Sequence, residues 1–480
     1  MKTFRSKFVI ITSYFFILLF CYAAISKVFD FENFQIQLAQ SPLTNPYSVV
    51  ISYTVIASEL LIVVLLSSPK MRNIGLHATF ALMSAFTVYI YVILNYSDNI
   101  PCSCGGVLEK LGWSEHLVFN IVCSLMALAA MTLNSKVRKN ILFSIVTAEV
   151  VIPAILLTYG FYPAVKQNQD VFVRKVVNSF DSEVKVIELP KSNYYFAGDF
   201  QDTIYLANSE TPLLLTTIHP PFVDLKKETI KLDDYSLKFR SVNVSVVYPH
   251  FSLTDGKVPA IFEGELPSLN AQKRDIGNLF FSKIHLTNRN QYVFRAVLTK
   301  TKESELGILN TSSKDHLIQP KVLESETDGI FDTDGNISVD VENKKIFYTY
   351  LYRNEIISTD LDLNHIERFN TIDSFSNADI KVKKLSNGQT KLLKTPQQVN
   401  THQVVYGNKF YNISKIRGKD ESFRDFSKKI VIDVYDTEKK KYLYSYNINN
   451  QNRSVIKGIL RTKKYFYVLS SDRIARYAFK

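Results

Sequence analysis

Cysteine is scarce in this sequence, and its distribution is uneven. Only four of the 480 residues are cysteines, and none follows residue 123. A secreted scaffold held together by disulfide bonds is therefore excluded. The long C-terminal part also offers no thiol that could mispair with a redox-active neighbour.

Residues 166–480 also lack the common catalytic signatures. They contain no Ser/His/Asp motif, no Gly-rich phosphate loop and no metal-ligand spacing, and we expect ordinary surface or loop roles for their scattered histidines, among them His219, His250, His285 and His316. The formal net charge of +12 is spread over both parts of the chain without a basic stripe. We therefore expect no nucleic-acid partner and attribute the excess lysine to a solvated surface.

The N-terminal part, in contrast, is rich in long apolar segments. A helix needs about 20 apolar residues to cross a bilayer. The first segment follows Lys2, Arg5 and Lys7 as a signal peptide would, but its apolar run is too long for a signal core, and the residue before Cys21 is Phe20 where a lipoprotein needs a small residue. We therefore expect a retained bundle of about five transmembrane helices in residues 1–165, with spans near 8–29, 48–66, 74–95, 117–134 and 141–162.

The basic residues of the short connections predict the orientation of this bundle. Eight lie at the N-terminus and in the second and fourth connections, whereas the first has none and the third has only Lys110. The positive-inside rule then places the N-terminus in the cytoplasm. With five crossings, the Cys102 loop and residues 166–480 lie outside, which for the inner membrane of a bacterium means the periplasm.

Two thiols lie one residue apart in the stretch "NIPCSCGGVLEKLGWSEH", residues 99–116. Outside the cytoplasm such a pair tends to oxidise, and a Cys102–Cys104 disulfide would close a small, strained and easily reduced ring. We expect Ser114 to cap the helix that follows and His116 to accept a proton from a thiol. A structural disulfide, or a metal site formed by Cys102, Cys104 and His116, stays open as an alternative.

Further polar side chains and thiols lie within the predicted spans. Glu59 and Glu149 fall at a similar depth with His77 a turn or two below, which suggests either a proton path or quinone pocket, or hydrogen bonds between helices. Cys21 and Cys123 could form a second thiol pair that relays electrons, although buried single cysteines are usually small apolar residues. We expect Lys27, at the outer end of the first span, to extend toward the lipid headgroups.

Short alternating strands rich in aromatic residues dominate the chain from about residue 192. A weak repeat links 202–218, 290–309, 343–362, 407–414 and 462–480, each a charged turn beside an aromatic strand. Its spacing of about 45–60 residues suits one four-stranded propeller blade. We therefore predict an all-β domain in residues 166–480, a propeller with six or seven blades, with a pair of β-sandwiches as the rival fold.

The N-terminal third resembles the MauE branch of the DoxX-like membrane proteins, the methylamine-utilisation family. The resemblance rests on the small helical bundle, on Lys27 and Glu59, and on the Cys-Ser-Cys-Gly-Gly loop, where Gly105 replaces a phenylalanine of the family pattern. It implies support of disulfide formation in exported proteins, and DoxX relatives imply a quinone as electron acceptor.

Two hypotheses follow from these features. In the first, the protein is a thiol–disulfide oxidoreductase or assembly factor, in which Cys102 and Cys104 exchange disulfides with a client such as a thioredoxin-like protein and the propeller orients that client. In the second, the bundle only anchors a propeller that binds a partner or ligand, and the loop disulfide is structural. In both, the lipid bilayer is a partner.

Overall fold

The computed structural model describes residues 2–41, 44–96, 112–134, 139–166, 169–178, 180–386 and 388–479. By internal contacts the chain divides into two compact units. Met1–Asn168 with Lys381–Pro396 form the first, and Gln169–Ile380 with Gln397–Lys480 form the second.

The first unit is built mainly of helices. These are α1 (Lys2–Phe29), α2 (Phe31–Gln40), α3 (Ser48–Ser67), α4 (Arg72–Tyr96), α5 (Trp113–Asn134) and α6 (Lys139–Lys166), with a 3-10 turn at Asn45–Tyr47. Every predicted apolar segment lies within one of the five longer helices. Phe4–Phe29, Ser48–Ser67, Arg72–Leu94 and Trp113–Asn134 are long and apolar enough to cross a membrane, and α6 carries the shorter apolar stretch Ile141–Leu157.

Side chains of the bundle separate into a packed interior and an apolar exterior. Phe16, Leu66 and Met131 are fully buried between helices. Gly75 allows α3 and α4 to approach closely, because a Cβ atom there would lie 2.9 Å from Leu66 Cδ2. Large apolar side chains such as Leu18 remain exposed on the outer surface. Exposure of so many apolar side chains to water would be unfavourable, whereas an apolar outer surface is required for contact with lipid.

The second unit is almost entirely β-structure, with one short helix, α7 (Phe423–Phe426). Its strands are β1 (Phe180–Glu188), β2 (Tyr194–Phe200), β3 (Thr203–Asn208), β4 (Leu214–Ile218), β5 (Lys226–Thr229), β6 (Lys231–Leu232), β7 (Val242–Val247), β8 (His250–Asp255), β9 (Ala260–Glu265), β10 (Asn270–Arg274), β11 (Lys283–Asn288), β12 (Gln291–Val297), β13 (Ser304–Asn310), β14 (Asp315–Gln319), β15 (Gly335–Asp340), β16 (Lys345–Tyr350), β17 (Glu355–Asp360) and β18 (Glu367–Asn370). After β19 (Val382–Lys384) and β20 (Thr390–Leu392), which belong to the first unit, follow β21 (Asn400–Tyr406), β22 (Lys409–Ser414), β23 (Lys429–Asp436), β24 (Lys441–Asn449), β25 (Ile456–Arg461), β26 (Tyr465–Ser470) and β27 (Arg473–Phe479).

These strands form the predicted propeller, with six blades in the described part of the chain. The blades are β2–β5, β7–β10 with the short β6, β11–β14, β15–β18, β21–β24, and β25–β27 with β1. Their first strands, β2, β7, β11, β15, β21 and β25, neighbour one another in turn and close a ring. The last blade is completed by antiparallel pairing of β1 with β27, from Phe180 opposite Phe479 to Glu188 opposite Arg473. This pairing removes the open edge that a linear row of blades would leave.

The repeat seen in the sequence corresponds to the second and third strands of the blades. The segments at 202–218, 290–309 and 343–362 hold β3–β4, β12–β13 and β16–β17, and 462–480 holds β26–β27. These central strands are buried on both faces, so their aromatic and β-branched pattern is the strongest. The second blade has the same order of strands but was not recognised from its sequence.

A hairpin of β19 and β20 packs against α2, and the sequence analysis predicted neither element. Gln40 Nε2 donates to Leu392 O at 3.1 Å, and Lys391 Nζ lies 2.5 Å from Asn33 Oδ1. Ser386 Oγ donates to Glu32 Oε2 at 3.1 Å. The connection between the first two spans, expected to be a loop, is therefore a short helix covered by a hairpin that follows the fourth blade in sequence.

Candidate functional site

The predicted thiol pair, Cys102 and Cys104, lies outside the described residues, which resume at Gly112 just before α5. The first turn of α5 begins at Trp113, where the Gly112 N–H donates to Glu115 Oε2 at 2.9 Å. Glu115 thus satisfies one of the unpaired N–H groups at the start of the helix. The prediction that Ser114 is the N-cap was wrong, because Ser114 lies inside the helix.

His116 lies half-buried in the first turn of α5. Its ring centroid is 6.1 Å from that of Trp113, and its Nδ1 atom is buried with no hydrogen-bond partner in the described part of the chain. The positive charge of Lys27 interacts with it. His116 therefore presents an unpartnered ring nitrogen at the start of α5, and its role as a proton acceptor stays a prediction.

Lys27 turns inward, which corrects the expectation that it extends to the headgroups. Its Nζ lies 2.7 Å from Glu59 Oε1 and 3.3 Å from Ala23 O. Glu59 is 1% exposed. A buried carboxylate without a counter-charge is very unfavourable, and this outweighs the loss of hydration of the Lys27 ammonium. The second carboxylate oxygen, Glu59 Oε2, is buried and has no hydrogen-bond partner among the described residues. One acceptor of the buried pair is thus free to receive a hydrogen bond.

His77 and Glu149 form a second polar pair, between α4 and α6. His77 Nδ1 lies 2.9 Å from Glu149 Oε1, and both side chains are largely buried. Glu149 Oε2, like Glu59 Oε2, has no partner among the described residues. The structure therefore joins two of the three grouped residues, His77 and Glu149, and pairs the third, Glu59, with Lys27.

Cys21 and Cys123 are both free thiols in the structure. Cys123 is 1% exposed and packs in the bundle core with Phe16 and Phe20, whereas Cys21 is half-buried. The packing of Cys123 is what a small apolar residue would have. Electron relay through these two thiols stays a prediction.

Two polar residues of α5 were missed by the sequence analysis. Asn120 is 3% exposed and its Nδ2 donates to His116 O at 3.0 Å, and Ser124 is buried one turn further on. Their spacing of four residues from His116 places all three along one face of α5. A polar residue at every fourth position of an apolar span is the signal that would have revealed this stripe.

Metal binding finds no further support in the described part of the chain. There, no group of three or more His, Cys, Asp or Glu side chains is arranged to hold a metal ion. What the described bundle does offer is a half-buried histidine, a buried ion pair with one unsatisfied oxygen, and a histidine–carboxylate pair. A proton path through these groups stays a prediction.

Comparison with known proteins agrees with the predicted resemblance. Residues 5–133 match the family model described as methylamine utilisation protein MauE. The N-terminal region is therefore a MauE-like membrane domain, and a six-bladed propeller follows it. A search of curated proteins gives no significant match.

Several solved structures are similar to part of the chain at low identity. A member of the DUF4221 family from Bacteroides vulgatus is 10% identical with a TM-score of 0.40, covering 65% of this chain and 99% of its own. A nidogen/laminin complex is 10% identical with a TM-score of 0.34, covering 55% and 82%. A luciferin-regenerating enzyme is 9% identical with a TM-score of 0.34, covering 62% and 95%.

Proposed function

We propose that this protein is a membrane-embedded factor for thiol–disulfide exchange outside the cytoplasm, with Cys102 and Cys104 as the exchanging pair. The observation that carries the proposal is the Lys27–Glu59 ion pair beside His116, at the end of the bundle where the thiol loop enters α5. A purely anchoring bundle has no need for a buried charge pair with an unsatisfied oxygen, because such groups are costly in a membrane. The match of residues 5–133 to the MauE family supports the same conclusion.

The exchange itself needs only the two sulfur atoms and a proton acceptor. A client thiolate attacks the Cys102–Cys104 disulfide, whose S–S bond breaks as a mixed disulfide forms. The second client thiolate attacks that mixed disulfide and leaves Cys102 and Cys104 as thiols. The client loses two electrons and two protons, and the loop gains two electrons and two protons. His116 accepts a proton from a client thiol and passes it to a loop sulfur.

Re-oxidation of the loop needs a two-electron acceptor, and we propose a membrane quinone, which takes two electrons and two protons as it becomes a quinol. Glu59 Oε2 and His116 Nδ1 are buried and lack partners within the described bundle, so they would accept hydrogen bonds from the hydroxyl groups of the quinol form. Glu149 and His77 form the second part of this proton path and exchange protons at another place in the bundle. Cys21 and Cys123 would supply a second thiol pair.

The orientation of the protein belongs to the same proposal. The excess of basic residues at the N-terminus and in the second and fourth connections supports a cytoplasmic N-terminus in the inner membrane of a bacterium. The thiol loop and the propeller would then face the periplasm. Because the propeller contains no cysteine, it would gather or orient the exported client without competing for the disulfide.

Trapping thiols in whole cells tests the proposal. Rapid alkylation should show Cys102 and Cys104 mostly oxidised in respiring cells and reduced when quinone synthesis is blocked. The variants Cys102→Ser and Cys104→Ser should accumulate reduced client, whereas Ser103→Ala, which keeps both sulfurs, should behave as the wild type.

Two results would overturn it. The first is a loop that stays oxidised without quinone, in a protein whose Cys→Ser variants keep their function. That outcome would support a membrane-anchored binding propeller with a structural disulfide. The second is a reporter fused at Ser103 that is active only in the cytosol.

A further inference from the structure

One end of the propeller's inner ring carries a connected set of polar side chains. On the third blade, Lys283 Nζ donates to Asn336 Oδ1 of the fourth at 3.0 Å and also to Gly335 O. Asn336 Nδ2 in turn donates to Thr401 O of the fifth blade at 2.5 Å and lies 3.5 Å from Gln403 Oε1. All these residues lie near the beginning of the first strands of their blades.

The same set continues around the ring. The Nε2 atom of His402 lies 3.1 Å from Ile456 O on the sixth blade, and Lys457 Nζ donates to Asn193 Oδ1 at 3.3 Å, immediately before the first blade. Side chains and backbone oxygens of four blades, the third to the sixth, and of the residue just before the first blade therefore lie at one end of the ring. Such a connected set holds its donors in fixed positions before any ligand arrives.

This end of the ring has an excess of positive charge and of hydrogen-bond donors. The charges of Lys415, Lys457 and Lys283 all act on His402. The neighbouring carboxylates are Asp334, 3.4 Å from Lys283, and Glu210, which accepts from Asn193 Nδ2 at 2.7 Å. Gln403 Nε2 is buried with no hydrogen-bond partner in the described structure. A buried donor that lacks an acceptor destabilises the fold, and a bound acceptor would remove that cost.

The two histidines of this end add neutral donors. Burial, assisted by the charge of Lys283, lowers the pKa of His285 to about 4. Burial and the three lysines also lower the pKa of His402, against the hydrogen bond to Ile456 O. Both rings are therefore neutral at pH 7 with one N–H each; that of His402 is donated to Ile456 O, so the N–H of His285 is the one left for a ligand.

Carboxylates lie at the other end of the same inner strands. Asp199 near the end of β2, Asp202 in the turn after it and Glu342 after β15 interact, and burial together with their repulsion raises the pKa of Asp199 to about 6. The inner ring thus has a lysine end and an end with three carboxylates, where Arg461 is the counter-charge. An anion entering the ring would be attracted to the first and repelled by the second.

We propose that the lysine end of the propeller ring, around Lys283, Lys457, His402 and Gln403, binds a small ligand through an anionic oxygen group, a phosphate or a carboxylate. The two ammonium groups supply the charge. The Gln403 amide and the His285 N–H direct hydrogen bonds at the oxygens, while His402 is held by Ile456 O, and charge-assisted bonds to the ammonium groups are the strong ones. This site is separate from the thiol chemistry, so either proposal can fail without the other.

Calorimetric titration of the full chain in a neutral detergent tests the site, with inorganic phosphate and succinate as the probes and chloride as the reference anion. At least one oxyanion should bind with saturation, while chloride should not. Lys283→Met and Lys457→Met should each weaken the binding about tenfold or more. Lys314→Met, at an exposed lysine between β13 and β14, should leave it unchanged.

Two outcomes would overturn the site. One is the absence of saturable binding of either oxyanion to the wild type. The other is unchanged affinity in the Lys283 and Lys457 variants. If Lys283→Met shows no cooperative melting, Lys457→Met decides alone, because Lys457 Nζ donates to the half-buried Asn193 just before β2, a bond whose loss the fold should tolerate. Binding of phosphate but not succinate, or the reverse, would support the site and name its chemical class.

Discussion

Lys27 Nζ lies 2.7 Å from Glu59 Oε1 and joins the C-terminal end of α1 to the middle of α3. Glu59 is almost completely buried and Lys27 is 10% exposed along its side chain, so neither charge is compensated by water. The pair therefore links two helices and at the same time leaves one carboxylate oxygen, Glu59 Oε2, available. Stability and redox chemistry can be tested separately at this pair.

Glu59→Gln should destabilise the bundle, because it leaves the Lys27 ammonium buried without its counter-charge. Loss of one partner of a buried pair costs about 3–5 kcal/mol. The double variant Lys27→Met/Glu59→Gln should recover much of that loss, since no charge is left. Denaturant titration of the three proteins in detergent measures the cycle, and equal stability of Glu59→Gln and the wild type would contradict it.

Glu149→Gln should slow re-oxidation of the thiol loop without unfolding the protein. The substitution keeps the shape of the side chain next to His77 but removes its ability to carry a proton. Loss of a positioned proton carrier lowers a rate by about tenfold or more. Thiol trapping after a pulse of reductant gives the rate. Thr147→Ala, exposed on the same helix, is the control, and identical rates in all three proteins would rule out a proton path through Glu149.

Arg174→Met should destabilise the propeller strongly. Arg174 donates to both carboxylate oxygens of Asp433, at 2.8 and 3.1 Å, and both side chains are 1% exposed. Without the guanidinium the buried Asp433 is unpaired, which costs about 3–5 kcal/mol. The exposed pair of Lys226 and Glu228, 3.0 Å apart, provides the comparison. Lys226→Met should change the free energy of unfolding by less than about 0.5 kcal/mol, and similar losses for both variants would refute the argument.

Asp199 should make the propeller less stable as the pH rises. Burial, with the nearby carboxylates of Asp202 and Glu342, raises its pKa from 3.8 to about 6. The folded state therefore holds this proton more tightly than the unfolded state, and stability is lost as the pH rises from about 4 through 6. Asp199→Asn should then stabilise the protein at pH 8 by up to about 3 kcal/mol and have little effect at pH 4.

Melting temperatures at the two pH values check this prediction, with Asp436→Asn as the control of opposite sign. Hydrogen bonds from the backbone N–H groups of Lys439 and Glu438 lower the pKa of Asp436, so its removal should not stabilise the protein at pH 8. A destabilising effect of Asp199→Asn at pH 8 would contradict the prediction, because it would mean that the ionised carboxylate stabilises the folded state.

The sequence predicted the secondary structure and the repeat more reliably than the contacts. The five apolar segments and the aromatic repeat are local patterns, and each corresponds to helices or blade strands in the structure. The helix α2 was missed because it is only ten residues long and its buried residues lie mostly two apart. A spacing of three or four residues is what predicts a helix with one buried face. The direction of Lys27 was predicted wrongly, since a lysine at a helix end has two stable positions and the sequence does not show that Glu59 lies within reach.

The sequence by itself determined a membrane-length apolar bundle, a propeller and the placement of all four cysteines in the first third of the chain. Length, hydropathy and repeat spacing are properties of consecutive residues, so they need no knowledge of the fold. Only the tertiary structure decided that His77 meets Glu149, that Lys27 meets Glu59, and that Lys283 and Lys457 lie at the same end of one ring. These contacts depend on which face each helix turns toward its neighbours and on how the blades close into a ring. Neither is determined by the order of neighbouring residues.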